Sequence, residues 1–524
     1  MRIAISQKRL YMNQPEKNFD LLKQDVLESK GKADLIVFSE LALSSALYGH
    51  RLVNDALIKL LLEKQKEVIK LSKHIPIVFG NIMIVGDQYY NALFYAKDGK
   101  LEAYGFEEEP FDFKLKNLDF IVSHEAVETD KINIVLGLKP YNKDLNHEIY
   151  PNTIYVGSDG LYNNGNEVYV LDDYGYVSYK NKCQYLENGM YENKTNIIDL
   201  KDLSYNKRHN HTVLNHLIKG IKYFDEENLS YKPKWIVGVS GGLDSALSVT
   251  LLTLALGKER VHGVTLPGPY TRDISLQNAK HLFKVLDISH ETIQIHAMVD
   301  ATVASMNVEK IEGLAYENIQ ARLRGHSLMT IASIINGVVS NNGNKIESAL
   351  GYATLYGDAI GAFSILADLT KLEVGNLASE INETYHKEII PTNLIPNIEN
   401  YAVRFGFAPS AELSQDQFDP MKWGYHDHLV PYLLEHSIER FMEQLIDNSV
   451  YDLEMGHYLK QYNLSKSEII EDLEWVYRQI NTAVFKRTQT PPVLKVSGNG
   501  FAPEAQVPLY YSSEYIKLKN KYLG

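Results

Sequence analysis

The sequence has one cysteine, no long apolar run and no excess of basic residues. Cys183 is the only cysteine among 524 residues, which excludes internal disulfides and thiolate metal clusters. A helix that spans a membrane needs about 20 apolar residues, and the longest apolar stretch here, residues 246–256, is much shorter. The 66 acidic residues outnumber the 53 lysines and arginines, giving a net charge of −13. We therefore expect a cytoplasmic protein that binds neither membranes nor nucleic acid.

The chain is long enough for more than one domain, since a domain averages roughly 150 residues. In the first part, strand-type runs such as residues 2–6 and 34–41 alternate with helical stretches such as residues 52–72. This pattern predicts sheets sandwiched between outer helices. A polar stretch without periodicity follows. We predict a first domain at residues 1–190, a connector at 191–207 and a second domain at 208–524.

After the connector, strand-type and helix-type segments alternate strictly. Residues 235–239, 261–266 and 291–295 are predicted strands, with helices at 246–256 and 276–286 between them. Such alternation predicts an α/β fold with a parallel, doubly wound sheet, which binds ligands at the carboxyl ends of its strands. The C-terminal part is predicted to be mainly helical and to end in a polar tail.

A glycine-rich loop joins the first of these strands to an apolar helix. It reads Ser-Gly-Gly-Leu-Asp-Ser at residues 240–245. Glycines and amide groups at a helix N-terminus allow close approach of phosphate oxygens. No lysine follows the glycines, as a Walker loop would require. Asp244 instead places a carboxylate beside the phosphates, which calls for a bridging cation such as Mg²⁺.

The loop resembles the pyrophosphate-binding loop of the N-type ATP pyrophosphatases, which cleave ATP to AMP and pyrophosphate. Later segments select a member of that family. In their order they resemble NAD synthetase over residues 234–501, in particular the synthetase half of the long, glutamine-dependent type. Ile346 departs from the pattern, because the family has serine there. The segments that carry the resemblance are residues 317–325, 343–347, 351–358, 368–371, 409–413 and 486–497.

The resemblance implies a role for each matched residue. The ATP and pyrophosphate ligands would be Ser240, Gly241, Gly242, Asp244, Ser245, Lys371 and Ser410. Deamido-NAD would be contacted by Asn318, Arg322, Asp358 and Lys486. Asp244 and Glu347 would bind Mg²⁺, and Asp244, Lys371 and Asp358 would form the catalytic set.

The implied reaction is a ligation with ATP as co-substrate and Mg²⁺ as cofactor. AMP is transferred to the nicotinate carboxylate of deamido-NAD, giving a mixed anhydride. Ammonia then attacks the anhydride, and the products are NAD, AMP and pyrophosphate. Such an enzyme mainly positions groups and offsets phosphate charge.

The first part resembles the nitrilase-type glutaminase domain of the long NAD synthetases, an α-β-β-α sandwich that uses glutamate, lysine and cysteine. Glu40 matches the glutamate. Phe106 stands where the lysine is expected, and Leu136 or Gly137 stands at the cysteine position. These side chains cannot attack a carboxamide, so the pattern predicts a pseudo-glutaminase. Ammonia would then come from solution or from a separate enzyme.

Other interpretations remain open from the sequence. Cys183 could serve as a displaced nucleophile in an active glutamine-dependent enzyme. The chain could also be a non-catalytic scaffold, although the synthetase motifs are nearly complete. A tRNA-thiolating enzyme would be expected to have a basic surface and catalytic cysteines. Long family members are homo-oligomers, so the resemblance predicts one here.

Overall fold

The chain folds into two compact units. One comprises residues 1–164 and 168–227, and the other comprises residues 165–167 and 228–524. The computed structural model describes residues 1–46, 54–106, 109–186, 195–204, 212–396, 412–414, 419–498, 500, 507–508 and 510–524. Among these residues, no helix combines the length and apolar character needed to cross a membrane.

Within its described residues, the first unit contains two six-stranded sheets and three α-helices. The first sheet has the strand order β15-β1-β3-β4-β5-β6, and the second has the order β14-β13-β10-β9-β8-β7. The strands of these sheets are β1 (Arg2–Ser6), β3 (Leu35–Phe38), β4 (Ile77–Val85), β5 (Gln88–Lys97), β6 (Lys100–Phe106), β7 (Phe111–Leu115), β8 (Leu118–Ser123), β9 (Ile132–Leu136), β10 (Thr153–Val156), β13 (Gly175–Tyr179), β14 (Lys182–Tyr185) and β15 (Thr195–Asp199). The shorter strands are β2 (Arg9–Leu10), β11 (Asp159–Asn163) and β12 (Glu167–Val170), and the helices are α1 (Pro15–Ser29), α2 (Asp55–Leu71) and α3 (Val213–Asn228).

Apolar side chains of both sheets form one core between them. Val37, Val78, Ile134 and Val156 are among its buried members. Because side chains alternate between the faces of a strand, the other face of the first sheet packs on α1 and α2 in a second core. The α-β-β-α sandwich that the sequence predicts is confirmed.

Helix α3 belongs to the first compact unit up to Glu227, and the predicted second domain at residues 208–524 stays a prediction. Charge pairs hold α3 in the first unit. The buried Lys219 ammonium lies 2.9 Å from Asp173 Oδ2 and 3.2 Å from Asp159 Oδ1. Arg9 pairs with Glu226 and Glu227 at the end of α3. A pattern of apolar residues does not show such pairing.

The second unit contains a parallel six-stranded sheet and a helical C-terminal region. Its strands are β16 (Lys234–Gly238), β17 (Val261–Thr265), β18 (Ser289–Thr292), β19 (Gly337–Asn341), β20 (Phe363–Ser364) and β21 (Val493–Lys495). Its helices are α4 (Leu243–Leu256), α5 (Asp273–Leu286), α6 (His296–Ser305), α7 (Gly313–Ile334), α8 (Lys345–Leu350), α9 (Lys371–Thr384), α10 (Tyr425–Glu435), α11 (Ile438–Ile446), α12 (Glu454–Tyr462), α13 (Lys466–Thr482), α14 (Val484–Arg487) and α15 (Ser513–Leu523).

The sheet order β18-β17-β16-β19-β20-β21 confirms the predicted doubly wound topology. The chain runs outwards from β16 in one direction and resumes at β19 on the other side. Ligands of such sheets bind beside the carboxyl ends of the strands at this switch point. The loops after β16 and β19 meet there, where the Asn342 amide donates to the Gly238 carbonyl at 3.0 Å. One boundary differs, because β18 covers residues 289–292 and the predicted strand covered 291–295.

The pairing of Lys219 with two buried carboxylates predicts a large stability effect. We expect Lys219→Met to lower the free energy of unfolding by about 3–5 kcal/mol, since it leaves Asp159 and Asp173 without this cation. The matched control is Lys258→Met, which breaks a solvent-exposed pair with Asp287. Urea unfolding followed by circular dichroism measures both variants. Equal midpoints for the two variants would contradict the assignment.

Candidate active site

The loop after β16 makes a close backbone contact that only glycine allows. Gly241 has φ +84°, and a Cβ added there would lie 1.9 Å from the Ser275 carbonyl oxygen. The Asn278 amide also donates to the Gly241 carbonyl, at 3.2 Å. The first turn of α5 therefore fixes the loop against the start of α4.

The two serines of the loop hold it in a tight ring. The Ser240 and Ser245 hydroxyl oxygens are 3.1 Å apart, and the Gly242 amide donates to Ser240 Oγ at 3.2 Å. Ser245 Oγ donates to the Gly242 carbonyl at 3.0 Å. Gly242 is the N-cap of α4 and provides no side chain to cap it. The start of α4 is thus built like an anion-binding helix terminus.

Asp244 and Lys371 form an ion pair at this loop. Lys371 Nζ lies 2.5 Å from Asp244 Oδ2, and the lysine side chain is buried. Lys371 is the first residue of α9, whose N-terminus is closed by a capping box between Thr370 and Glu373. The second Asp244 oxygen, Oδ1, is buried and has no hydrogen-bond partner among the described residues. One carboxylate oxygen therefore remains for a ligand.

Burial and charge act in opposite directions on Lys371. Burial lowers the pKa of its ammonium group, but the Asp244 and Glu347 carboxylates outweigh burial and hold the pKa above its usual value. Glu347 is the third residue of α8, and its Oε2 accepts from the Asn344 amide at 3.1 Å in a second capping box. Asp244 and Glu347 are thus the two carboxylates that chiefly stabilise the charged form of Lys371.

This donor set fits a magnesium ion. Mg²⁺ prefers oxygen ligands, usually one or two carboxylates together with phosphate oxygens and water. Asp244 Oδ1 offers a buried oxygen that no described residue contacts by a hydrogen bond, and Glu347 places a second carboxylate near the same lysine. The first turns of two helices, α4 and α8, fix these two residues.

Three of the four predicted dinucleotide ligands lie around the loop between α8 and β20. Asn318 Oδ1 accepts from Thr354 Oγ1 at 2.7 Å, and the Thr354 amide donates to Asp358 Oδ1 at 2.7 Å. Arg322 Nε donates to the Leu355 carbonyl at 3.3 Å. Helix α7 therefore presents Asn318 and Arg322 to this loop on one face, as their spacing of four residues requires.

Lys486, the fourth predicted ligand, contacts the same loop. Its ammonium group donates to the carbonyls of Gly351 and Ala353 at 2.6 and 2.7 Å. Burial lowers the pKa of Lys486, and the Asp358 carboxylate opposes that effect. Burial raises the pKa of Asp358, and hydrogen bonding from the Thr354 amide opposes it.

A cavity of about 710 Å³ opens beside this cluster. Arg322 and His326 of α7 line it, as do Tyr356 and Gln489. Gln489 Oε1 accepts from the Tyr356 hydroxyl at 3.2 Å. Part of the C-terminal segment after α14 therefore borders the cavity.

Ser410, the remaining predicted phosphate ligand, lies outside the described residues. The sequence missed a role for Asp368, which is buried at the centre of a network with Lys345, Lys495 and Ser497. These four residues lie in motifs that carry the resemblance, but no pattern of spacing in the sequence shows that they meet in space. It also missed Glu412, which accepts from the Arg272 amide at 3.0 Å and from Ser275 Oγ at 2.8 Å.

In the first unit, Glu40 follows β3 and is held by two neighbours. Its Oε1 accepts from the Asn91 side-chain amide, and its Oε2 lies 3.5 Å from His124 Nδ1. The next residue, Leu41, has φ +45°. Glu40 is thus engaged by polar side chains of β5 and of the segment after β8.

The positions expected for a lysine and a cysteine carry apolar groups. Phe106 ends β6 with its ring centroid 5.2 Å from that of Tyr90. Leu136 is fully buried in the core between the sheets. A Cβ added at Gly137 would lie 2.5 Å from the Tyr155 hydroxyl oxygen, so the Tyr155 side chain occupies that space.

Comparison with known proteins shows what the second part of the chain is similar to. Residues 214–469 match the sequence profile of the family described as NAD synthase. They contain the loop at 240–245, Glu347 and Lys371, and Lys486 lies beyond them.

Relatives and solved structures extend the likeness. The glutamine-dependent NAD(+) synthetase of Synechocystis is 33% identical over 280 residues, or 53% of this chain and 45% of the relative. The Thermotoga maritima protein of the same name is 32% identical over 298 residues, or 56% and 46%. The chain therefore spans about half the length of the curated relatives it matches.

Two solved structures cover nearly the whole chain and show the fold of both units. The glutamine-dependent NAD(+) synthetase from Cytophaga hutchinsonii has a TM-score of 0.79 at 12% identity, covering 100% of this chain and 99% of that one. The Acinetobacter baumannii enzyme in complex with ADP has a TM-score of 0.66 at 20% identity, covering 97% and 98%.

The close contact at Gly241 predicts loss of nucleotide binding in one alanine variant. We expect Gly241→Ala to weaken ATP binding at least about 100-fold, because the methyl group displaces the loop from Ser275 and positive φ adds strain. The matched control is Gly257→Ala at the end of α4, with φ +86° and no atom within 4 Å. The Gly257→Ala variant therefore has the backbone strain of a positive φ but no steric clash of its methyl group. Titration calorimetry with ATP measures both, and equal affinities would contradict the role of the contact.

Proposed function

We propose that the protein is an NAD(+) synthetase, a ligase that adenylates the nicotinate carboxylate of deamido-NAD with ATP and then amidates it with ammonia. The observation that carries this proposal is the Asp244–Lys371 pair at a glycine-rich helix start, where the buried Asp244 Oδ1 has no hydrogen-bond partner within the described part of the chain. The match of residues 214–469 to the NAD synthase family supports the same reaction.

The phosphate loop and Lys371 are assigned to the triphosphate and then to the released pyrophosphate. Ser240, Gly242 and Ser245 surround the N-terminus of α4, where backbone amides attract anions. The buried Lys371 stays charged because of Asp244 and Glu347, so it offsets the charge that develops on pyrophosphate. The family resemblance adds Ser410 to this group.

Asp244 and Glu347 are assigned to Mg²⁺. When bound, the ion screens phosphate charge and orients the triphosphate. Asp244 would hold the ion through Oδ1, which has no hydrogen-bond partner among the described residues, while its Oδ2 is the atom that pairs with Lys371. Both carboxylates come from first turns of helices, so the site is fixed before the ligand arrives.

The Asn318–Arg322–Asp358–Lys486 cluster is assigned to deamido-NAD, and the adjoining 710 Å³ cavity is large enough for part of a dinucleotide. Alignment of the nicotinate carboxylate with the α-phosphate of ATP is the main catalytic task, and the mixed anhydride then reacts with ammonia. No covalent bond to the protein is needed. Asp244, Lys371 and Asp358 are the proposed catalytic set.

We propose that the sandwich unit is a pseudo-glutaminase. Of the three catalytic groups that the nitrilase-type resemblance implies, Glu40 alone is present. Leu136 is buried in the core, and Tyr155 fills the space beside Gly137. Burial raises the pKa of the Cys183 thiol, which opposes formation of a nucleophilic thiolate there. Ammonia then comes from solution or from a separate enzyme.

A glutamine-dependent reaction and a non-catalytic scaffold are the alternatives. The first is favoured by the names of the relatives, which are glutamine-dependent NAD(+) synthetases. The retained Asp244–Lys371 pair argues against the second. We further propose a homo-oligomer, as the resemblance implies, and a cytoplasmic location, which the single cysteine favours.

The deciding assay supplies deamido-NAD, ATP and Mg²⁺ with either ammonium or glutamine and measures NAD and AMP by chromatography. We expect product with ammonium, none with glutamine, and none with ammonium after EDTA treatment. Product with glutamine that Cys183→Ala abolishes would establish the displaced nucleophile. No product in either arm would favour the scaffold.

One substitution tests the phosphate site directly. We expect Lys371→Met to lower the rate with ammonium about 10²–10³-fold, because a preorganised cation is lost from the developing charge. Lys258→Met is the matched control, since it also breaks a lysine–aspartate pair of the second unit but at the surface. A rate for Lys371→Met within threefold of the control would remove Lys371 from the mechanism.

A further inference from the structure

Asp368 is a buried carboxylate of the second unit, and both of its oxygens have hydrogen-bond or ion-pair partners. Its Oδ1 lies 3.1 Å from Lys345 Nζ and 3.4 Å from Lys495 Nζ. Its Oδ2 accepts from the backbone amides of Val496 and Ser497 at 2.7 and 2.8 Å. The Ser497 hydroxyl lies 2.9 Å from Oδ1. Burial opposes its ionisation, but the two lysines and the amides lower its pKa to about 2.

These contacts join three segments that are far apart in the sequence. Lys345 is the first residue of α8, the helix whose third residue is Glu347. Asp368 lies three residues before Lys371, the first residue of α9. Lys495 ends β21, and Ser497 follows it in the C-terminal segment. The Lys345 amide also donates to the Leu369 carbonyl at 2.8 Å, so α8 and the start of α9 are bound side by side.

The C-terminal segment holds the far end of α8 as well. The buried Arg487 guanidinium donates to the Ala349 carbonyl at 2.8 Å. Lys486 donates to the carbonyls of Gly351 and Ala353, directly after the helix. Helix α8 is therefore fixed at its start by the Asp368 network and at its end by α14.

We propose that Asp368 is a positioning residue that sets the distance between Glu347 and Lys371 by pairing with Lys345 and Lys495. This inference rests on the proposed function of those two residues in binding magnesium and phosphate. The partners of the Asp368 side chain among the described residues are Lys345, Lys495, Val496 and Ser497, so it acts on Glu347 and Lys371 through other residues. It holds the first turn of α8, which carries Glu347, against the segment that leads into Lys371. A displacement of about 1 Å in such a site can reduce a rate about 100-fold.

The second unit contains a matched network that serves as a control. Asp472 of α13 is also buried, and it pairs with Lys422 and with His426 Nε2, the latter at 2.9 Å. Its partners are a lysine and a histidine of the helical C-terminal region. Asp472→Asn thus removes a buried, paired carboxylate whose ion pairs are with Lys422 and His426 and, among the described residues, with none of those assigned to the reaction.

The test compares Asp368→Asn, Lys345→Met and Asp472→Asn with the natural chain in the ammonium assay, each at a temperature where circular dichroism shows it folded. Lys345→Met leaves Asp368 paired with Lys495 and covers the case in which Asp368→Asn does not fold. Each protein is titrated with Mg²⁺ at saturating ATP and, separately, with deamido-NAD.

We expect Asp368→Asn and Lys345→Met to raise the half-saturating Mg²⁺ concentration at least about tenfold. The KM for deamido-NAD should stay within twofold, and Asp472→Asn should keep the natural Mg²⁺ dependence. An unchanged Mg²⁺ dependence in the folded variants, or an equal rise in both constants, would overturn the inference. If the natural chain itself forms no NAD, the proposed function fails instead.

Discussion

The buried charge of Lys371 constrains the arrangement of the whole phosphate site. An ammonium group without exposure to water needs nearby carboxylates, and Asp244 and Glu347 provide them. Asp244 reaches Lys371 because α4 begins at Leu243, directly after the two glycines of the loop. That loop in turn depends on a residue without a side chain at position 241, where the Ser275 carbonyl lies against it. One buried cation thus connects a turn, two helix starts and the first turn of α5.

Sequence patterns predicted most of this architecture because its signals are local. A strand, a glycine-rich turn and an apolar helix are contiguous, so the loop and its place in a doubly wound sheet follow from residues 234–256. Each capping box is a local feature too, because Asn344 and Glu347, like Thr370 and Glu373, are separated by only three positions. The two-layer sandwich followed from alternating apolar runs.

The remaining features depend on contacts between distant segments, which periodicity does not encode. Asp368 meets Ser497 across 129 positions, and Lys219 meets Asp173 across 46. The latter pairing holds α3 in the first unit, which extends to Glu227. The filling of the space beside Gly137 also depends on a distant residue, because the Tyr155 side chain that occupies it comes from the neighbouring strand, β10. Resemblance could indicate which groups are replaced but not what fills their space.

The C-terminal segment shows how the second unit joins its two clusters of predicted site residues. Lys486 contacts the loop after α8, near the residues proposed to bind the dinucleotide. Lys495 and Ser497 instead contact Asp368, close to the start of α9. Both parts of this segment contact the same helix, α8, at opposite ends. A helix of one to two turns is stiff, because its ends are joined by backbone hydrogen bonds. The C-terminal segment therefore fixes α8, and with it the proposed metal ligand Glu347, at both ends of the helix.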